Sequence, residues 1–206
     1  MEPITIVQYD TGNLGSIRNM FKALQIPTQV ASDPGVILDA RKLILAGVGA
    51  FDHGMEMIES KGLGRILEEK VLKGATPILG ICLGMQLFAE GSDEGKRLGL
   101  GWLRAWVPRF RFQDGSTPLK IPHMGWNSVT ALRPSLLLKE LPPDSRFYFA
   151  HSYHLRCDEA GDITGSSRYG YEFPAVIEKG NIFGVQFHPE KSHRFGMKVL
   201  ENYAKI

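Results

Sequence analysis

In the first half of the chain, short unbroken apolar runs alternate with stretches in which apolar residues recur every three or four positions. Ile4 to Val7 is β-branched and apolar, Asp10-Thr11-Gly12-Asn13 breaks the run, and between Ser16 and Leu24 the positions Ile17, Met20, Phe21 and Leu24 share one helical face. A strand, a loop and a helix are predicted. The same order returns in Lys42-Leu43-Ile44-Leu45, followed by a turn at Gly47-Val48-Gly49 and a helix over Ile66 to Leu72 beyond the breaker Gly62. Pro77-Ile78-Leu79-Gly80-Ile81 reads as a third strand and runs at once into the helical stretch Met85-Gln86-Leu87-Phe88. Continuous apolar strands separated by amphipathic helices predict an α/β fold, a mostly parallel sheet with helices on both faces.

Beyond Gly91 the texture changes. Glycine and aromatic residues become frequent, and Arg104 to Phe112, Arg146 to Leu155, Ala175 to Ile177 and Ile182 to Phe187 read as strands joined by turns, some of them antiparallel. Phe195, Val199, Leu200 and Tyr203 return to helical spacing, which predicts a closing helix packed on the sheet. No repeat, low-complexity tract or linker interrupts the pattern, so residues 1–206 are expected to form one domain. The chain carries 24 Lys and Arg against 22 Asp and Glu, a net charge of +2 with neither sign in a long block. That balance offers no stripe for nucleic acid and no polybasic membrane anchor. No apolar run approaches the roughly 20 residues that span a bilayer. Two cysteines, Cys82 and Cys157, are too few for a disulfide framework, and Met1-Glu2-Pro3 leads straight into a strand pattern, so a reduced, cytoplasmic protein is expected.

The sharpest chemical signal is Gly80-Ile81-Cys82-Leu83-Gly84 between a buried strand and a helix. Small residues two before and two after a nucleophile permit a tight strand-to-helix turn, which holds the side chain out at the carboxyl edge of the sheet. The helix amino terminus at Leu83 then offers backbone N–H groups to a developing oxyanion. A plainer reading is a buried cysteine beside glycines that let a helix pack closely. A thiol nucleophile needs a base, and the base an orienting group. Phe187-His188-Pro189-Glu190 supplies both, because alternation in an extended segment sends His188 and Glu190 to the same side. Taken alone, this pair is equally a surface His and Glu after a strand. Metal binding is the rival use of the same residues: His151, His154, His188 and His193 with Cys82 and Cys157 are ligand types, but no CxxC, HExxH or paired knuckle is present, and no metal site is expected. The loop Asp10-Thr11-Gly12-Asn13-Leu14-Gly15 lacks GxGxxG spacing and a P-loop lysine, so it reads as a strand–helix connection or a partner surface.

The motifs form an ordered set along nearly the whole chain: Tyr9-Asp10 with Gly12-Asn13-Leu14, Ser32-Asp33-Pro34, Gly47-Val48-Gly49-Ala50-Phe51, and Gly80-Ile81-Cys82-Leu83-Gly84-Met85-Gln86. They continue with Pro122-His123-Met124-Gly125-Trp126-Asn127, Phe147-Tyr148-Phe149 with His151-Ser152-Tyr153, and Gly184-Val185-Gln186-Phe187-His188-Pro189-Glu190-Lys191-Ser192. In this order the sequence resembles the class I, triad-type glutamine amidotransferases, and among them the glutaminase subunits of imidazole glycerol phosphate synthase. The resemblance implies a flavodoxin-like mixed sheet with antiparallel additions in the C-terminal half. It implies that Cys82 attacks the side-chain amide of glutamine, that His188 protonates the departing ammonia, and that Glu190 orients His188. Backbone N–H groups of Leu83, Val48 and Gly49 would form the oxyanion hole, while Gln86, Ser152, Tyr153 and the backbone of Gly49 would hold the amino-acid end of the substrate. No cofactor is implied. A partner is: a (β/α)8-barrel cyclase/synthase subunit, bound as a heterodimer, that takes the ammonia and makes imidazole glycerol phosphate and AICAR in histidine biosynthesis. Asn13, Met124, Trp126, Tyr148 and Lys191 match family positions at that interface or at the ammonia gate.

Two departures from the family pattern stand out. Ala46 precedes Gly47-Val48-Gly49 where the family has proline, and is expected to loosen the segment that completes the oxyanion hole. Phe51-Asp52-His53-Gly54-Met55 and Ser192-His193-Arg194-Phe195-Gly196-Met197 look more like the paralogous branch that supplies ammonia for amidination of surface-polysaccharide sugars. That branch would share the chemistry at Cys82 and differ in the acceptor.

Overall fold

The computed structural model of the chain describes residues 2–112 and 119–206. Its first half contains β1 (Ile4–Val7), α1 (Leu14–Ala23), β2 (Thr28–Ala31), α2 (Pro34–Asp39), β3 (Leu43–Gly47), α3 (Phe51–Ser60), α4 (Leu63–Glu68), β4 (Ile78–Cys82) and α5 (Leu83–Gln86). The second half contains β5 (Gly91–Ser92), β6 (Ala105–Val107), β7 (His123–Ser128), β8 (Thr130–Ala131), β9 (Arg146–His151), β10 (Arg156–Cys157), β11 (Ile163–Tyr169), β12 (Tyr171–Lys179), β13 (Ile182–Val185) and α6 (His193–Lys205). The main sheet has the order β2-β1-β3-β4-β13-β12-β11-β8. Its first five strands are parallel and the last three antiparallel. A small sheet β10-β6-β5 and a hairpin β7-β9 complete the strands.

Why β3 and β4 read as unbroken apolar runs is clear from their surroundings. Leu43 and Leu45 enter one apolar layer with Phe51, Ile58, Leu63 and Leu67 of the helices α3 and α4, while Ile44 and Ala46 enter the other with Ile17 and Phe21 of α1 and Val199 and Leu200 of α6. A strand covered on both faces has no polar side to display. The closing helix docks as expected, and its Tyr203 hydroxyl donates to the carbonyls of Leu43 and Pro77 (3.0 Å for the latter) at the feet of β3 and β4.

The structure corrects the expected elements in four places. After Gly47-Val48-Gly49 comes α3, whose Phe51, Met55 and Ile58 form a buried stripe; the helix expected over Ile66 to Leu72 is α4 with one wider turn at Glu69–Lys73. The strand expected over Arg104 to Phe112 stops at Val107, because Pro108 has no N–H to donate, and only an isolated bridge from Arg109 to Tyr153 follows. β9 ends at His151, and β13 at Val185, two residues short of Phe187. β2, α2, β5, β7, β8, β10 and β11 were absent from the expectation, and Ala175 to Ile177 is only part of the nine-residue β12. β11 hid because Thr164, Ser166 and Ser167 are polar yet buried; the Ser167 hydroxyl donates to Ser128 O at 2.7 Å, which satisfies it there.

Candidate active site

β4 and β13 are neighbours in the parallel part of the sheet, with Ile81 opposite Val185. Cys82 at the end of one and Gln186-Phe187-His188 leaving the other therefore meet at the same carboxyl edge. Cys82 has φ 53° and ψ −109°, and α5 begins at the next residue. A non-glycine residue held there costs about 1–3 kcal/mol, a strain that the packing around it must offset. The flanking glycines answer to close approach: a Cβ on Gly80 would lie 2.7 Å from Met85 N, and one on Gly84 would overlap the Leu45 carbonyl. This is the geometry of a nucleophile elbow.

His188 is tied to the hairpin. Its N–H donates to Tyr148 O (2.8 Å), its carbonyl accepts from Ser192 Oγ (2.6 Å), and Ser192 Oγ accepts from Tyr148 N–H (3.0 Å). Its Nδ1 lies 2.9 Å from Glu190 Oε1, and both side chains are only 3% exposed. A carboxylate accepts, so Nδ1 carries the proton and Nε2 is left for the sulfur of Cys82, the other side-chain partner of His188. Burial alone pulls the imidazole pKa down, but the charge and hydrogen bond of Cys82, with Glu190 behind, outweigh it and hold the pKa well above the usual value. Glu190 Oε2 is buried without a partner among the described residues. Cys157 lies in β10 of the separate small sheet, where burial, then Asp162 and Asp158, push its thiol up to about 12.

A cavity of about 430 Å³ opens over Cys82. Its wall includes Val48, Gly49, Leu83, Gln86, Ser152 and Tyr153, all six residues singled out for the oxyanion hole and the substrate, together with Met124. His188 and Glu190 stand behind Cys82, outside that wall. Val48 and Gly49 are exposed, Gly49 has φ +106° with no atom near its missing Cβ, and their backbone makes no hydrogen bond to another described residue. Ala46 does not belong to this free stretch. It is buried inside β3 opposite Ile81, so the sheet removes the looseness expected of it.

Two residues of the site were missed by the sequence reasoning. Gln186 is fully buried; its Nε2 lies 3.7 Å from Cys82 Sγ, and its Oε1 accepts from Gln86 Nε2 at 3.0 Å. Gln86 Nε2 also donates to Tyr153 O at 2.9 Å, so its amino group is engaged within the site and its carbonyl oxygen is the group left over. Alternation from His188 back to Gln186, a polar residue between Val185 and Phe187, was the available signal. Glu94 also lines the cavity and accepts from Phe51 N at 2.8 Å.

The chain matches the model of the family described as glutamine amidotransferase class-I over residues 36–205. It belongs to that family. As an enzyme of this family it is 46% identical over 202 residues to an imidazole glycerol phosphate synthase subunit HisH 2 from Methanococcus maripaludis, with 98% of each chain covered. It is equally 46% identical over 203 residues to a HisH subunit from Bdellovibrio bacteriovorus, covering 98% of this chain and all of that one. A glutamine amidotransferase from Thermotoga maritima of known structure shares the fold, with a TM-score of 0.67, 20% identity and coverage of 98% and 82%.

The amidotransferase presents one exposed patch beside the cavity. Met124 and Trp126 of β7 are 65% and 46% exposed. Trp126 stacks on His193 (5.3 Å between ring centres) and meets the edge of Tyr148, whose ring lies 5.6 Å from Lys191 Nζ. α1 packs against the Pro189–Lys191 turn, and Asn13 caps α1 by accepting from Ser16 N (3.3 Å). No helix among the described residues is long and apolar enough to cross a membrane.

Proposed function

We propose that this chain is the glutaminase subunit of an imidazole glycerol phosphate synthase, hydrolysing glutamine through Cys82, His188 and Glu190. The observation that carries the reading is a strained cysteine at a strand–helix elbow, in partnership with a buried histidine whose other nitrogen donates to a carboxylate. Cys82 Sγ, its proton passed to His188, attacks the glutamine side-chain carbonyl. The resulting oxyanion is met by the N–H of Leu83 and by Val48 or Gly49. Collapse breaks the C–N bond, His188 gives its proton to the departing ammonia, and a thioester remains on Cys82. Water, deprotonated by His188, then releases glutamate and restores the thiol. Tyr153 and Ser152 hold the α-carboxylate; the Gln86 carbonyl and the Glu94 carboxylate suit the α-ammonium, since both only accept.

Ammonia in neutral water is mostly protonated and no longer nucleophilic, so the product is useful only to a docked synthase. The names of the relatives and the exposed Met124-Trp126-Tyr148-Lys191 patch, with Asn13 at the start of α1, support a barrel-shaped cyclase as the heterodimer partner. The test is glutamate release from glutamine by the purified chain with and without such a cyclase, together with gel filtration of the mixture. Glutamate release that the cyclase raises, in a one-to-one complex, supports the reading; no release under either condition overturns it. Binding to a sugar-amidinating synthase in place of the cyclase would move the acceptor and leave the glutaminase assignment standing.

A further inference from the structure

Behind the substrate end of the cavity runs a chain of hydrogen bonds that the chemistry above does not use. His151 Nδ1 lies 2.7 Å from Tyr153 O, His151 Nε2 lies 3.1 Å from His123 Nδ1, and His123 Nε2 lies 3.3 Å from Asn127 Nδ2. Asn127 Nδ2 also donates to Arg168 O at 2.8 Å. A carbonyl only accepts, so His151 Nδ1 carries the hydrogen and its Nε2 is an acceptor. His123 Nδ1 must then carry a hydrogen, and its Nε2 accepts from Asn127. Every proton position is set by its neighbour, and the chain has a single direction, from Asn127 on β7 to the Tyr153 carbonyl. Burial keeps both rings neutral, pulling His123 down to about 4 and His151 to about 3. Neither nitrogen of His151 is free to act as a base on Cys82, although the residue lines the same cavity.

What the chain holds is the backbone at Ser152 and Tyr153. Tyr153 takes the non-hydrogen-bonded position of its bridge to Arg109, flanked by Phe110 N to Ser152 O (3.0 Å) and His154 N to Pro108 O (3.1 Å). Its own carbonyl is left to side chains, and receives Gln86 Nε2 from one side and His151 Nδ1 from the other. Across the trans peptide from Ser152 O, the Tyr153 N–H points away from Phe110. We propose that His151, locked in one tautomer by His123, is a positioning residue for the α-carboxylate of the substrate: it fixes the Tyr153 peptide so that the donors of Ser152 and Tyr153 converge on that group. The proposal rests on the glutaminase reading and adds residues that touch neither the scissile amide nor the sulfur.

Near-isosteric variants separate the two ends of the ring. His151→Asn keeps a donor at the Nδ1 side and loses the acceptor for His123; His151→Gln reaches towards His123 and loses the donor to Tyr153. The KM for glutamine should rise about threefold in His151→Asn, which leaves the His123 hydrogen without its acceptor, and about tenfold in His151→Gln, with kcat changed less than about threefold in both; a KM unchanged in both variants overturns the role. Alkylation of Cys82 by iodoacetamide, which has no amino-acid end, should be unaffected, while labelling by a glutamine-shaped diazo-ketone should slow about tenfold in His151→Gln. The opposite order of the two variants, a loss confined to kcat, or equal slowing of both reagents overturns the positioning role. A wild-type chain that neither hydrolyses glutamine nor prefers the diazo-ketone to iodoacetamide overturns the glutaminase reading, and the proposal with it.

Discussion

Glu190→Gln tests the site most sharply, because it removes a charge and almost no volume. The affected bond from His188 Nδ1 to Glu190 Oε1 is 2.9 Å long and shielded from water. A hydrogen bond to an ionised group contributes about 1.5–3 kcal/mol, so loss of the charge alone lowers the rate roughly 10- to 150-fold. Orientation adds to this. Glu190 Oε2 is buried without a partner among the described residues, so an amide that kept its oxygen on Nδ1 would leave its NH2 group unsatisfied there, at a cost of about 1–3 kcal/mol. In the turned-over orientation the amide leaves its carbonyl oxygen in that place and donates to Nδ1; the imidazole proton then moves to Nε2, and the ring can no longer accept from Cys82. Triads forced into the wrong tautomer lose about 10⁴ in kcat, so the expected loss lies between about 10² and 10⁴. With the carboxylate gone, one of the groups raising the His188 pKa is gone, and the alkaline limb of the rate profile, where His188 loses the proton it gives to ammonia, moves to lower pH. The assay is glutamate release at saturating glutamine from about pH 6 to about pH 11, which includes the limb set by a His188 pKa of about 10, beside Glu190→Asp, which keeps the charge and shortens the reach. A Glu190→Gln enzyme within about threefold of wild type, or an alkaline limb that stays in place, would falsify the roles given to the pair.

Cys82→Ala should abolish glutamate release and Cys157→Ser should leave it unchanged; with its thiol at about 12, Cys157 is about one part in 10⁵ thiolate at pH 7, and peptide mapping after brief alkylation should find Cys82 alone. Comparable labelling of Cys157 in the folded protein contradicts that. Gly84→Ala should lower the urea midpoint by an amount worth about 1–3 kcal/mol, since the new Cβ overlaps the Leu45 carbonyl; an unchanged midpoint refutes the close approach. Ala46→Pro should alter basal glutamate release by less than about threefold, because Ala46 is held within β3, and a larger change would return the loosening role to that residue. Glutamate release by the isolated chain should be slow and rise on adding the cyclase; a chain fully active alone would leave the partner no role in activation.

The legible parts of the sequence were those in which one local pattern carries one structural meaning. β1, β3 and β4 are apolar on both sides because both sides are covered, and Cys82 between Gly80 and Gly84 is bounded by glycines that the structure uses for close approach. β11 was opaque because its buried residues include Thr164, Ser166 and Ser167, which no hydrophobic pattern marks. α3 was readable in Phe51, Met55 and Ile58, but Gly54 and the preceding glycine turn masked the period. At the site, His188 and Glu190 do come together, but through a 3-10 turn at Pro189–Lys191 and not by the extended alternation expected, whereas Gln186 and Glu94 act through contacts with residues distant in the chain, Gln86 and Phe51, that only the fold creates. Ala46 misled for a related reason: its effect depends on whether it lies in the turn or in the strand before it.

The proposed dependence on a partner rests on where the β7-β9 pair is attached. Its outer face carries Met124, Trp126 and Tyr148, exposed or half-buried beside Lys191. Its inner connections reach both halves of the site: Tyr148 O holds the His188 N–H, and His151 at the end of β9 holds the Tyr153 carbonyl. The Val48-Gly49 backbone, by contrast, is attached to neither and, among the described residues, has no hydrogen bond to keep an N–H turned towards Cys82. On the proposed reading, a resting enzyme would have Cys82, His188 and the Tyr153 backbone assembled, while the Val48 and Gly49 donors proposed for the oxyanion hole are unconstrained. A protein docked on the hairpin face, with Met124 reaching into the cavity beside Val48, can bias that stretch without disturbing the triad. The bias is limited by the difference in the partner's affinity for the two backbone states; each tenfold gain in active population requires about 1.4 kcal/mol of it. Since His188 and Tyr153 are already anchored, the proposed switch would move only the few exposed peptides between Gly47 and Ala50, and on that reading a weakly perturbing interface would be enough.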